Sequence, residues 1–483
     1  MDTFLIKKLS LLSIQTFFNM KNLLFCFLSF IMVFSVFAQK NVIAHGGGEY
    51  KIPESIDDCV SDKQRQVIFS EIDANRKLLK ENKFFKSANK QPLVHPLFIW
   101  PVTKNPIAPY SNVWSISNHV DHNPNYPNQV QDWNCGSRTY DTSAGYNHKG
   151  IDIYTWPFSW YQFQNNHAWV IAAAPGIIIN KTDGNFDMSC GFNSNQWNAI
   201  YVQHSDGSMA WYGHMKSNSL TSKGIGDTVI AGEFLGVVGS SGNSTGPHLH
   251  FEVYNSSNQL VDTYLGNCNN WTSSTDSWWQ NQKPYQDPKI NAVMIHSQVY
   301  SFNNCPQTES VYLSDDFVTG SPVVISVYLA DQLPNTTGTI QIVRPNNTIA
   351  DSFNFNLTTF YHSSYWYWTY NSSFFNQSGQ WKLRFTYLGN TVEHLFNYGT
   401  LKTDNFEKDN FNFYPNPSEG IVVIENKSNI LLKEISIHDI SGKKLLSEKS
   451  NFNKIDISGL SSGVYFIRFE SENGVYNKKL IKK

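Results

Sequence analysis

Ala199-Ile200-Tyr201-Val202-Gln203-His204-Ser205-Asp206-Gly207-Ser208-Met209-Ala210-Trp211-Tyr212 reads as two short strands closed by a turn. β-Branched and aromatic residues stand on both sides of Ser205-Asp206-Gly207, the polar, glycine-containing break expected of a hairpin. Working outward, Val229 to Gly239 and Leu249 to Val253 are short apolar runs bounded by Gly and Asn, and the same texture continues in Val323 to Leu329, Thr339 to Arg344 and Trp381 to Phe385. Fourteen Trp, 24 Tyr and 33 Phe in 483 residues, with only 16% charged residues, suit β-rich domains better than helical bundles. The expected fold class is mainly β: an antiparallel β domain over residues 93–287, an Ig-like β-sandwich over 288–402 and a small C-terminal β-sandwich over 403–483.

Lys and Arg number 37 against 39 Asp and Glu, a formal charge of −2 that offers no electrostatic footprint for nucleic acid or an anionic membrane. Lys21 precedes an apolar run, Leu23 to Phe37, that ends in Val36-Phe37-Ala38 before Gln39. This is the pattern of a secretory signal peptide over residues 1–38. Residues 1–19 read as an upstream extension, with Met20 the more ordinary start. No later stretch comes near about 18 consecutive apolar residues, so no membrane span is expected in the mature protein. Beyond Cys26 the chain has Cys59, Cys135, Cys190, Cys268 and Cys305, an odd number that leaves one thiol after at most two bridges. The pairing expected is Cys135 with Cys190 and Cys268 with Cys305. No Cys-x-x-Cys occurs, which argues against a structural zinc site built from cysteines.

Residues 39–92 form a leader whose one periodic segment runs from Ser61 through Asn82. Ser61 with Gln64 makes a capping-box pattern, and Val67, Ile68, Ile72, Leu78 and Leu79 could share an apolar stripe. The leader reads as a propeptide that covers something or as a spacer.

Three fragments carry chemistry: Asn147-His148-Lys149-Gly150-Ile151-Asp152, Trp211-Tyr212-Gly213-His214-Met215, and Ser244-Thr245-Gly246-Pro247-His248-Leu249-His250-Phe251-Glu252. Residues i and i+2 of a strand face the same way, so His248 and His250 can converge on one ion or one water. His148, Asp152 and one imidazole of that pair give three N/O ligands, the number a catalytic zinc takes. The remaining histidines are free to move protons in a metal-assisted hydrolysis.

Together with Gly226-Asp227-Thr228-Val229-Ile230-Ala231-Gly232-Glu233-Phe234-Leu235-Gly236-Val237-Val238-Gly239, these fragments resemble the lysostaphin-type zinc endopeptidases, the duplicated-hybrid-motif family that cuts peptide links in bacterial cell walls. The resemblance runs from about Asn147 to Val253. It implies a Zn2+ cofactor held by His148, Asp152 and His250, and a catalytic pair of His214 and His248, either of which could be the base. The implied substrate is a peptide bond, above all in bacterial peptidoglycan. The aromatic stretches Tyr154 to Trp169 and Phe186 to Trp197 depart from the compact family form and are expected to wall the groove.

The tail, from Phe413-Tyr414-Pro415-Asn416-Pro417-Ser418-Glu419-Gly420 through Gly463-Val464-Tyr465-Phe466-Ile467-Arg468 to Lys478-Lys479-Leu480-Ile481-Lys482-Lys483, resembles the C-terminal sorting domain of type IX secretion substrates. That implies the type IX machinery as a partner and a secreted or outer-surface location. An enzyme sent beyond the producer's outer membrane is poorly placed to remodel its own wall, which favours foreign peptidoglycan. Two other classes compete: a secreted protease acting on host or environmental proteins, and a noncatalytic module that binds peptidoglycan or activates another hydrolase. Individually each residue has a bland reading, such as a surface ion pair for His148 and Asp152 or a hairpin-end residue for His214. His204 reads as a hairpin residue, and His119 and His122 as solvated loop histidines that could otherwise reach a metal in a latent form.

Overall fold

The 199–212 hairpin forms around a turn over 204–208, with Gln203 opposite Met209 and Gly207 at φ 87°. The computed structural model describes residues 40–52, 58–81, 95–191, 193–269, 277–302, 309–399, 411–426, 430–440, 442–471 and 474–483. The signal read over 1–38 lies outside them. Antiparallel sheets dominate, and among the described residues no helix is long and apolar enough to cross a membrane.

The hairpin sits in the middle of an eight-stranded sheet. Its strands are β1 (Trp114–Asn118), β2 (Ile151–Thr155), β3 (Gly176–Thr182), β4 (Ala199–Gln203), β5 (Met209–Gly213), β6 (Thr228–Val229), β7 (His248–Tyr254) and β8 (Leu260–Val261). The order is β6-β3-β4-β5-β7-β2-β1, with β8 on the end of β7. β7 is therefore flanked on both sides, and in its sequence, HLHFEVY, the polar His248, His250 and Glu252 alternate with apolar residues although the strand is buried almost throughout. One face packs Ile153, Tyr212, Leu249 and Phe251 against a smaller sheet of Phe234–Val237, Ala168–Ile171 and Val102–Lys104.

The opposite face carries Tyr201, Trp211 and Tyr254, covered by helix α1 (Asp62–Glu81) of the leader. The capping box forms: Ser61 N–H donates to Gln64 Oε1 at 2.9 Å, and Gln64 N–H donates to Ser61 Oγ at 3.3 Å. The buried stripe is Ile68, Ile72 and Leu79 with Arg65, whereas Val67 and Leu78 stand 47% and 56% exposed. Two strands precede this helix that the sequence reading lacks. Lys40–Asn41 runs parallel to Ile349–Leu357, and Gly46–Glu49 runs antiparallel to Tyr361–Tyr370. A Gly-Gly-Gly segment has no intrinsic strand preference. Gly46 pairs because it is small, since a Cβ there would stand 2.4 Å from the Tyr367 hydroxyl oxygen.

Gly46–Glu49 completes a four-stranded sheet with Lys289–His296, Val323–Gln332 and Tyr361–Tyr370. Trp368 of that sheet lies 4.9 Å from Phe355, ring to ring, in a second sheet built from Thr336–Val343, Ile349–Leu357, Gly379–Tyr387 and Asn390–Tyr398. By contact density the chain divides into two units, Met1–Asp315 with Pro322–Phe396, and Asp316–Ser321 with Asn397–Lys483. In the second unit, Phe411–Tyr414, Ile421–Asn426 and Lys454–Asp456 form one sheet, and Lys444–Glu448, Leu432–His438, Gly463–Ser471 and Gly474–Lys482 another. Phe411 stacks on Phe469 at 4.7 Å in its core.

The disulfide reading is corrected. Cys135 bonds to Cys268, and Cys190 is disulfide-bonded as well, so neither Cys135–Cys190 nor Cys268–Cys305 forms. The cause is the folding back of the 130–140 loop on the segment after β8, where Cys268 N–H donates to Trp133 O. A contact between positions 133 residues apart leaves no local trace in the sequence.

Candidate functional site

In the strand register Asp152 of β2 pairs with His250 of β7, and His250 pairs on its other side with Gly213 of β5. Alternation then puts His248, His250 and Glu252 on one face of β7. His214 follows β5 at φ 57°, a left-handed conformation in which histidine is enriched among non-glycine residues, and its ring lies beside those of His248 and His250. His148 stands one turn of chain before β2. The structure thus brings together all five residues singled out by the sequence.

Each imidazole directs one nitrogen outward to an acceptor. His148 Nδ1 donates to the His119 carbonyl at 2.7 Å, His250 Nε2 to Glu252 Oε1 at 2.8 Å, His248 Nδ1 to the Gly246 carbonyl at 2.8 Å and His214 Nδ1 to the Ser241 carbonyl at 2.6 Å. A carbonyl or carboxylate can only accept, so those outer nitrogens carry a proton. Burial opposes charge on the rings, but the Asp152 carboxylate raises His148 to about 9 and lifts His248 and His250 as well. The inner nitrogens facing it are therefore protonated, and a bound cation would take the place of those inner protons. The inner atoms converge. His250 Nδ1 is 2.7 Å from Asp152 Oδ1, His148 Nε2 is 3.1 Å from Asp152 Oδ2, and His248 Nε2 is 3.6 Å from Asp152 Oδ1. His214 Nε2 is buried without a hydrogen-bond partner among the described residues. Two imidazoles whose inner protons a cation can displace, with a carboxylate between them, fit the N/O donor set of a catalytic zinc.

Burial opposes charge at Asp152, but the His148 and His248 imidazoles hold its carboxyl well below the usual carboxylate range. Burial likewise opposes charge at Glu252, and the Arg65 guanidinium from α1, in direct contact with its carboxylate, holds it down. Burial depresses His214, with His248 adding to the effect.

Several participants escaped the sequence reading. Asn118 Nδ2 donates to Asp152 Oδ2 at 3.0 Å, and Glu252 closes the motif as the orienting partner of His250. Trp197 packs 5.1 Å from the His214 ring and is seated over Gly213. Cys59, N-terminal to α1, joins His148, Asp152 and His250 in one cluster and His214, His248 and His250 in another, with the ligand atoms of each within 4.8 Å of one another. An odd cysteine just before a helix cap was its only sequence signal. His119 and His122 are not solvated loop residues: they are 1% and 7% exposed. His122 pairs with Asp262 at 2.7 Å, and His119 acts at the site through its backbone carbonyl. His204 is a hairpin residue, its Nδ1 bonded to the Pro175 carbonyl at 2.8 Å. The Tyr154–Trp169 stretch is core more than groove wall: Trp156, Phe158 and Phe163 are buried, and Tyr154, Ser159 and Trp160 border the cleft over Asp152 and His248.

Comparison with known proteins matches residues 146–263 to Peptidase family M23 and residues 412–483 to the Secretion system C-terminal sorting domain. Among curated relatives, the DD-carboxypeptidase/endopeptidase Mpg of Neisseria meningitidis serogroup B is 36% identical over 84 residues, which is 17% of this chain and 16% of that one. An uncharacterized metalloprotease of Buchnera aphidicola is 28% identical over 197 residues, 40% of this chain and 41% of its own. The chain thus spans less than half the length of either. Among solved structures, the catalytic domain of lysostaphin from Staphylococcus simulans aligns at 23% identity over 31% of this chain and 88% of that one, with a TM-score of 0.20. Residues 146–263 are a lysostaphin-like peptidase family M23 domain, and residues 412–483 are a C-terminal sorting domain of the type IX secretion system.

Proposed function

We propose that the chain is an exported zinc metalloendopeptidase that hydrolyses peptide bonds in bacterial peptidoglycan cross-links, with residues 39–92 as its leader. His148, Asp152 and His250 are the metal ligands, and His214 and His248 the catalytic pair. The observation that carries this reading is the outward anchoring of four imidazoles, with the inner nitrogens of His148, His248 and His250 gathered on the Asp152 carboxylate and His214 beside His248 and His250. The likeness to a DD-carboxypeptidase/endopeptidase supports a peptide substrate, and the sorting domain supports action outside the cell.

Zinc, when bound, supplies a Lewis acid for polarising a scissile carbonyl. The chain's own residues do the rest. Asp152 is fixed by Asn118 and His250 by Glu252, so the ligand cradle keeps its shape. The His214 and His248 rings are 4.4 Å apart; His248 lines the cleft, and His214 Nε2 is buried beside it. One, neutral with Nε2 open, can take the proton of an attacking water and return it to the leaving amine, while the other, protonated at both nitrogens, donates from Nε2 to the developing oxyanion.

The roles separate by mutation. His148→Ala and Asp152→Ala are expected to lose zinc and activity together. His214→Ala and His248→Ala keep the metal and lose about 10²–10⁴-fold in rate. Metal content by elemental analysis and muropeptide release from sacculi measure both, and full activity in H148A or D152A would overturn the assignment.

A further inference from the structure

Cys59 belongs to the leader yet stands at the centre of the peptidase site. Its sulfur enters two clusters of candidate ligands, one with His148, Asp152 and His250 and one with His214, His248 and His250. Within each cluster the ligand atoms lie within 4.8 Å of one another. A thiol common to both stands between the three ligands and the catalytic pair. That is where a fourth ligand, or the reacting groups of a substrate, would have to be. Cys59 is 7% exposed and forms no disulfide, and its Sγ lies 2.8 Å from the Tyr140 hydroxyl. Independently, His214 Nε2 points into the same buried space with no hydrogen-bond partner among the described residues.

The leader is fastened on both sides of this thiol. Upstream, Gly46–Glu49 is paired to Tyr361–Tyr370. Next to it, the Asp58 carbonyl accepts from Asn243 of the loop that leads into β7. Downstream, α1 buries Ile68, Ile72 and Leu79 on the sheet, Asp62 pairs with Lys149 at 3.1 Å, and Arg65 contacts Glu252, the residue that orients His250. The cleft over Asp152 and His248, about 810 Å³, has Tyr50, Ile52 and Cys59 of the leader in its wall. A segment tied down by so many contacts holds its thiol at high effective concentration over the site.

We propose that Cys59 is the fourth ligand of the zinc held by His148, Asp152 and His250, and that the leader in this way keeps the chain latent. The proposal rests on the zinc-site reading above. Thiolate sulfur is among the ligands zinc prefers, and four protein ligands make a closed site of the structural kind. On metal binding one zinc–Sγ bond forms and the thiol proton leaves to solvent. On withdrawal of the leader that bond breaks and the sulfur takes a proton back. No oxidant or reductant takes part.

Cobalt substitution of the full leader-bearing chain tests this without relying on activity. The wild-type chain should show a near-ultraviolet thiolate-to-cobalt charge-transfer band, and Cys59 should resist maleimide until a chelator removes the metal. Cys59→Ala should keep one equivalent of metal, lose the band and gain activity by about tenfold or more, the rise expected if nine-tenths of the wild-type sites are closed. A wild-type chain that binds cobalt without the band, with Cys59 freely alkylated, overturns the proposal and leaves the zinc site standing. A chain that binds no metal, like its Asp152→Ala variant, overturns the zinc-site reading and this inference with it. The wild-type spectrum and alkylation decide the matter even if the alanine variant does not fold.

Discussion

Gly150 shows how little room the site leaves. A Cβ there would stand 2.7 Å from His250 Nε2, so the glycine between His148 and Asp152 is what lets the two motif strands close on each other. Glu252 occupies the other side of that imidazole and fixes which nitrogen faces inward. Glu252→Gln should therefore keep the fold and lower zinc affinity about 10- to 100-fold, the usual cost of losing an orienting carboxylate, as read by chelator competition. His296 makes a pH prediction. Burial pushes it down to about 3, with its ring between the Val311 carbonyl and the Tyr328 hydroxyl. Unfolded, it takes a proton near pH 6.5, so between about 6.5 and about 3 the unfolded state binds the extra proton and stability falls as the pH falls. Urea midpoints of His296→Asn should show a shallower acid limb than wild type, by up to about 1.4 kcal/mol per pH unit. At this scale the gathering of the five candidate residues was legible because each lies in a short motif and strand alternation is local. Cys59, Asn118 and the His119 carbonyl were not, because they meet the motifs only through the folded chain.

The leader helix is the element best read in advance. Its cap, Ser61 with Gln64, and its buried Ile68, Ile72 and Leu79 follow from helical spacing. Val67 and Leu78 fell on the wrong side, since the face actually covered is set by the strands beneath it. Ser61→Ala removes the side chain that caps the Gln64 amide and should cost about 1 kcal/mol, measured as a shift in the urea midpoint of the leader-bearing chain. The 199–212 hairpin was equally plain, its turn chemistry being local. Lys40–Asn41 and Gly46–Glu49 were not, because their pairing depends on partners about 300 residues away, which no strand propensity encodes.

At the scale of the whole molecule the N-terminal segment, the M23 domain, Lys289–His296 and residues 322–396 fall in one unit, and the sorting domain lies in the other. A mainly β architecture was legible from composition and turn spacing, whereas the Cys135–Cys268 link was fixed only by the return of distant loops. In this account the chain leaves the cell as a zinc peptidase with its own thiol over the site and cuts peptidoglycan once that thiol is gone. The most direct test is mass spectrometry of the products released from purified sacculi by the full chain carrying Cys59→Ala, beside the same chain with His248→Ala added. The account predicts new peptide termini within the cross-links from the first and none from the second. Intact cross-links after digestion by a zinc-loaded Cys59→Ala chain, or identical products from both, would contradict it.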